Sequence, residues 1–164
     1  MSDQERCYIA AMRILNFRFN GEQELRRKLR AKKFERDVID ATIDRLRREK
    51  WLDDERFAAS FVRARMQKRI GRARIRRELI ASGVDDAVAD RALRENVDSD
   101  REREEAAAEC QKRIRVMKRR YGDDVLESPQ ARKKLAAYLL KRGYDAALVS
   151  EVVRGDIEDD DMSS

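Results

Sequence analysis

The densest chemistry in the sequence is cationic. Residues 63–77, RARMQKRIGRARIRR, place Arg63, Arg65, Lys68, Arg69, Arg72, Arg74, Arg76 and Arg77 within fifteen positions, with no acid among them. Residues 112–120, KRIRVMKRR, add Lys112, Arg113, Arg115, Lys118, Arg119 and Arg120 in nine positions. Guanidinium groups bind phosphate oxygens bidentately, and a row of cations along a helix can follow a phosphate backbone. The bland alternative is a solvated helix face, which ordinarily interleaves both signs. The first run lacks those acids and is the stronger signal. The second is weaker, because the acidic stretch Asp98–Glu105 can lie near it on a neighbouring helix.

Other chemistry is poorly supplied. The chain has no histidine, which removes His-based metal sites, Ser-His and Cys-His nucleophile pairs and the commonest general base near neutral pH. Its six glycines are isolated, so neither a phosphate-cradling loop nor a dinucleotide fingerprint is available. Carboxylates cluster at Asp53-Asp54-Glu55, Asp85-Asp86 and Asp123-Asp124, each beside a predicted helix start where capping explains them. Cys7 and Cys110 are too few and too scattered for a disulfide framework and read as reduced, buried or half-buried thiols. No metal, cofactor or catalytic residue is expected.

Aromatic side chains could stack on bases. Phe17, Phe19, Phe34, Phe57, Phe61, Tyr121, Tyr138 and Tyr144 fall mostly on inward stripes or at turns, which predicts core packing, and Trp51, beside a helix junction, is left open.

The elements that carry these residues read as helices. Leu79, Val84, Val88 and Leu93 have the same spacing as Leu29, Phe34, Val38 and Ile43, and as Leu139, Tyr144, Leu148 and Val153. Each stretch predicts the end of one helix, a tight turn and the start of the helix that packs back on it. Gly83 and Gly143 stand at two of these turns and Lys33 at the third, so the first turn is expected to be strained or differently built.

Ser2 with Glu5 predicts a capping box for a helix over 3–18. Asn20 is expected to open a second helix, over 21–32, and a third runs over 35–50. Asp53 and Asp54 start the next group, and Ser128 with Pro129 starts a helix after a linker over 121–126. The domain boundaries that follow are three three-helix repeats at 1–50, 51–97 and 98–155, the last with a longer first helix, and an acidic disordered tail at 156–164. Stacking the repeats gives the expected fold class: all-α, an elongated, curved array of three tandem three-helix repeats.

Composition agrees. Apolar residues make up 41% and charged residues 44% of the 164 positions, with 6% aromatics and one proline, as in solvated helices that bury narrow stripes. Lys and Arg number 39 against 33 Asp and Glu, a formal net charge of +6. Residues 156–164 hold five acids and no base, so the remainder carries +11, which points to a polyanionic or acidic partner. The tail either repels anions or folds back on a basic groove. No membrane-spanning run or signal peptide is visible, and a cytoplasmic location is expected.

The order EQELRRKL at 22–29, WLDDERFAASFV at 51–62 and GRARIRRELIASGV at 71–84 resembles the signature of the RecX family of recombination regulators, over about residues 8–155. Lys50 departs from the family's usual glycine before the aromatic, and the tail lies outside the resemblance. The resemblance implies a non-enzymatic protein of DNA repair, homologous recombination and the SOS response. Such a protein binds the RecA recombinase filament on DNA, lies in its helical groove and depresses ATP hydrolysis, strand exchange and co-protease activity. The partners implied are that filament and single- or double-stranded DNA, met by a monomer through the fourteen basic residues named above. Two other readings stay open: a stand-alone DNA-binding protein built on helix-turn-helix-like pairs, and a helical scaffold for an acidic protein.

Overall fold

The computed structural model describes residues 1–17 and 20–162, without the side chain of Asp160. The expectations for Arg18, for Phe19 as a core residue, and for the Asp160 side chain, Ser163 and Ser164 in the tail lie outside the described residues. Among the described residues the chain is all-helical, with nine α-helices, one 3₁₀ turn and no strand. They are α1 (Asp3–Phe17), α2 (Glu22–Ala31), α3 (Arg36–Arg48), α4 (Asp54–Gln67), α5 (Arg72–Ala81), α6 (Asp86–Asn96), α7 (Ser99–Tyr121), α8 (Pro129–Lys141) and α9 (Ala146–Met162). The 3₁₀ turn, Val125–Glu127, occupies the predicted linker and buries Leu126. None of these helices is long and apolar enough to cross a membrane.

The chain divides into two compact units, Met1–Phe61 with Glu78–Glu95, and Val62–Arg77 with Asn96–Ser164. In the first unit Cys7 and Ala11 of α1, Leu25 and Leu29 of α2, and Ile39, Ile43 and Leu46 of α3 close around Leu52. In the second, Ala106, Cys110, Ile114 and Met117 of α7 meet Leu135 and Leu139 of α8 and Val149 and Val152 of α9. Both sets recur every three or four residues, the stripe that buries one helix face. Burying each leucine contributes about 1.5–3 kcal/mol.

Helix starts are partly as expected. Ser2 and Glu5 form the reciprocal capping box, Glu5 N–H donating to Ser2 Oγ at 3.2 Å and Ser2 N–H to Glu5 Oε2 at 2.9 Å. Asp53 accepts from Arg56 N–H at 3.1 Å, and Ser128 from Ala131 N–H at 3.4 Å. Asn20 does not cap α2. Its side-chain amide donates to the Ile14 carbonyl at 3.3 Å and its oxygen accepts from Lys28 Nζ at 2.6 Å. Gly21 takes the cap position, and the missing acceptor comes from Asp54 of α4, whose Oδ1 accepts from Glu22 N–H at 3.1 Å. Burial pushes the Asp54 carboxyl above its ordinary value, with the Glu22 hydrogen bond opposing.

Helix ends share one device. Lys33, Lys50, Arg69, Gly83 and Gly143 all have positive φ, and each donates its N–H to the carbonyl three residues back while the next residue donates to the carbonyl five back. This is the Schellman motif. The Lys33 turn is therefore built like the other two, at a cost of roughly 1 kcal/mol for a side chain in that conformation. Glycine is needed at Gly83 and Gly143 for a further reason. A Cβ on Gly83 would lie 2.2 Å from Gln23 Cβ, and one on Gly143 would lie 2.2 Å from Arg74 Cβ. Lys33 is exposed.

Residues 156–162, expected as a disordered tail, form the last turns of α9. The apolar spacing of Val149, Val153 and Ile157 carries the helix past Gly155, and Ile157 packs on the second unit's core. Asp156 accepts a hydrogen bond from the buried Cys110 thiol, which burial and that bond push up.

Two stability experiments follow. Gly83→Ala is expected to cost more than about 2 kcal/mol, because the strained turn must also part from α2, whereas Lys33→Gly stays within about 1 kcal/mol of the parent. Denaturant melts by circular dichroism measure both, and equal effects would refute the close-approach explanation. Asp54→Ala should cost about 0.5–2 kcal/mol through the lost cap, while Asp54→Asn keeps an acceptor. Because the folded carboxyl holds its proton more tightly than the unfolded one, its contribution falls as pH rises. The Asn variant should therefore gain on the parent as pH rises above about 4.

Candidate nucleic-acid interface

Both basic runs belong to the second unit, the first on the end of α4, the following turn and α5, the second on the C-terminal half of α7. A backbone crossing sets their positions. Gly71 N–H donates to the Arg142 carbonyl at 2.9 Å, and Ala73 N–H to the Gly143 carbonyl at 3.1 Å. A Cβ on Gly71 would fall 2.3 Å from the Gly143 carbonyl carbon. The Arg142 guanidinium donates back to the carbonyls of Arg69 and Lys68 at 3.1 and 2.7 Å, and the Tyr144 hydroxyl donates to the Arg69 carbonyl at 2.9 Å. The α4–α5 turn is thereby clamped to the α8–α9 turn.

Two buried acids of α7 complete the clamp. Glu102 and Glu109 are each 3% exposed. Glu102 accepts from Arg72 Nε at 2.7 Å and from Arg72 N–H at 3.0 Å, capping α5 as Asp54 caps α2. Glu109 lies 3.4 Å from Arg69 Nη1 and 3.5 Å from Arg142 Nε, and accepts from the Tyr138 hydroxyl at 3.1 Å. Burial and that bond to Glu109 push the Tyr138 hydroxyl above its ordinary value. The Arg72–Glu102 contact, at 2.7 Å, has the length of a charge-assisted hydrogen bond, and the two arginine contacts of Glu109 are longer.

The cations of the two runs thus differ in circumstance. Within the first, Arg69 and Arg72 are spent on Glu109 and Glu102, and Arg63 donates to Asn96 Oδ1 at 3.0 Å. Lys68 and Arg77 are exposed, while Arg65, Arg74 and Arg76 are half-buried. Arg74 packs its Cβ on the Gly143 turn. In the second run Lys112, Arg113, Arg115, Arg119 and Arg120 are exposed, and Lys118 is half-buried. Among the described residues no ion pair involves those five exposed cations. Of the acidic stretch Asp98–Glu105 that sequence reasoning set near the second run, Glu102 faces the first run instead, paired with Arg72, and Glu109, outside that stretch, joins it on the inward face of the helix.

The aromatics also sort differently from expectation. Phe57 and Tyr144 are buried, and Phe34, Phe61 and Tyr138 are half-buried, as core packing predicts. Phe17, Trp51 and Tyr121 are 94%, 54% and 58% exposed. Each stands at the end of a helix or just past it. No group of three or more potential metal ligands occurs among the described residues, and both thiols are free and buried.

The geometry has known relatives. Residues 7–46 match the model of the first three-helix domain of RecX, and residues 53–93 that of its second three-helix domain. Regulatory protein RecX of Xanthomonas campestris pv. campestris (strain B100) is 35% identical over 150 residues, covering 91% of this chain and 86% of that protein. Regulatory protein RecX of Clostridium perfringens (strain 13 / Type A) is 31% identical over 150 residues, covering 91% of this chain and 68% of its own. The crystal structure of RecX from Lactobacillus salivarius superposes with a TM-score of 0.79 at 25% identity, covering 93% of this chain and 96% of that one.

The clamp generates a test. Glu109→Gln keeps the shape but leaves Arg69 and Arg142 facing each other without a counter-charge. A loss of roughly 3 kcal/mol is expected, at the low end for a broken buried pair because both arginines reach solvent. Equilibrium unfolding measures it, and a loss below about 0.5 kcal/mol would reduce the clamp to a surface contact.

Proposed function

The chain belongs to the RecX family of non-enzymatic regulatory proteins, and we propose that its target is the RecA recombinase filament on DNA. It lies in the filament's helical groove and depresses ATP hydrolysis, strand exchange and co-protease activity. The observation that carries the reading is the outward face of α7, where Lys112, Arg115 and Arg119 stand exposed with no acid paired to them among the described residues. Cations without internal partners are available to phosphates, and each contact releases counterions.

The body that presents them is three tandem three-helix repeats over 1–50, 51–97 and 98–155. Recurrence of the glycine crossing, Gly83 against α2 and Gly143 against α5, supports that organisation. Recurrence of the reaching carboxylate, Asp54 to Glu22 and Glu102 to Arg72, supports it too. Several weak contacts on one frame raise avidity without any catalytic group, so inhibition is steric. The protein acts in the cytoplasm as a monomer, without a cofactor, touching recombinase protomers and single- or double-stranded DNA.

Added below one copy per recombinase subunit, the protein should lower DNA-dependent ATP hydrolysis while turning over no ATP itself. Unchanged hydrolysis at saturating protein would overturn the proposal. Replacing Lys112, Arg115 and Arg119 by Glu should weaken DNA binding and flatten the slope of log K against log salt by about 0.7–0.9 per lost contact. The melting curve should be unchanged, since none of the three has an internal partner. An unaltered slope would remove α7 from the interface.

A further inference from the structure

The C-terminal half of α7 holds an arrangement that phosphate binding alone does not require. Tyr121, the last residue of the helix, is 58% exposed and joins no core cluster, yet the Arg120 guanidinium lies over its ring, Cζ 5.3 Å from the centroid. Two turns back, Arg113 lies over the Tyr138 ring at 5.0 Å. Seven residues of α-helix return to nearly the same azimuth after about 10.5 Å of rise, so Arg113 and Arg120 share one flank. A guanidinium stacked on a ring keeps its in-plane N–H donors free for phosphate oxygens.

The simpler explanations account for only part of this. Cations in the last turn complement the negative end of the helix dipole, which covers Lys118, Arg119 and Arg120. It does not account for a large ring left in solvent beneath one of them. Tyr138 differs in kind, since its hydroxyl is committed to Glu109. Among the described residues Tyr121 makes no hydrogen bond and joins no core cluster, and residues 110–122 contain no acid, the exposed pair Asp123 and Asp124 following only beyond Gly122.

We propose that Tyr121 is a base-stacking residue for single-stranded DNA, with Arg120 and Arg113 taking the phosphates that flank the stacked base. The proposal rests on the DNA-binding reading above and sharpens it. Every base offers a π face, so such a platform is tolerant of sequence, but in a duplex those faces are already stacked on neighbours. Tyr121 therefore gives the protein a preference for single strands that Lys and Arg alone cannot supply.

The test uses the full chain, its Tyr121→Ala and Tyr121→Phe variants, a thymidine oligonucleotide carrying one 2-aminopurine, and a duplex of equal length. Tyr121→Ala should weaken single-strand binding about 5- to 150-fold, leave duplex binding and the salt slope unchanged, and abolish quenching of the 2-aminopurine. Tyr121→Phe should stay within about twofold of the parent, because the ring and not the hydroxyl stacks. Single-strand affinity unchanged in the Ala variant, an equal loss on duplex, or a Phe variant as weak as the Ala variant would each overturn the stacking role while leaving DNA binding intact. A parent protein that binds neither DNA at low salt would overturn both.

Discussion

The structure depends on how closely two backbones can approach where a helix start meets a helix–helix turn. Gly71 and Ala73 donate backbone hydrogen bonds to the carbonyls of Arg142 and Gly143, and a Cβ on Gly71 or Gly143 would sit closer than 2.5 Å to its neighbour. In the first unit the Gly83 turn lies equally tight against Gln23. Bond patterns of this kind fix distance and orientation together, because moving either partner by an ångström breaks the hydrogen bonds and opens a gap that only side chains could fill. The carboxylates of Asp54 and Glu102 reach across the same joints to cap α2 and α5, so helix ends that lack a local cap are satisfied from a neighbour.

This joint also decides which cations are left for other work. By clamping the α4–α5 turn over α7, it brings Arg69 and Arg72 onto Glu109 and Glu102, in sites where an unpaired carboxylate would be costly. The arginines nearest the joint are consumed by the fold, and those on the outer face of α7 are not. Counting positive charges along the chain therefore overstates the first run and understates the second.

Local features were legible in the sequence, and features made by two distant segments were not. The Ser2–Glu5 box, the Ser128 cap and the core stripes of α2, α3 and α8 involve residues within a few positions of one another, so spacing alone reveals them. Asp54 read as a cap, but for its own helix, since nothing in LDDERF says that α2 starts beside it. The left-handed turns at Gly83 and Gly143 were expected, whereas the reason Lys33 can stand at such a turn required seeing that it is exposed. For the candidate interface, residue type was legible and partnership was not: Arg72 and Arg115 are indistinguishable in sequence, yet one is bonded to a buried acid and the other is exposed. The exposure of Tyr121 has a faint signal, its place after the last inward residue, Met117, and before Gly122.

Lys33 has one further consequence. The tightest crossing needs a helix-start glycine on one side, Gly71, and a bare left-handed turn on the other, Gly143. Gly83 is as close to Gln23, whereas a Cβ on Gly21 would meet the Ser82 carbonyl oxygen at an ordinary 3.4 Å. The two positions left over carry side chains, Lys33 at the turn after α2 and Ser128 at the start of α8. The exposed Lys33 turn tolerates a side chain, and the Gly83 and Gly143 turns, each held against a neighbouring helix start, do not.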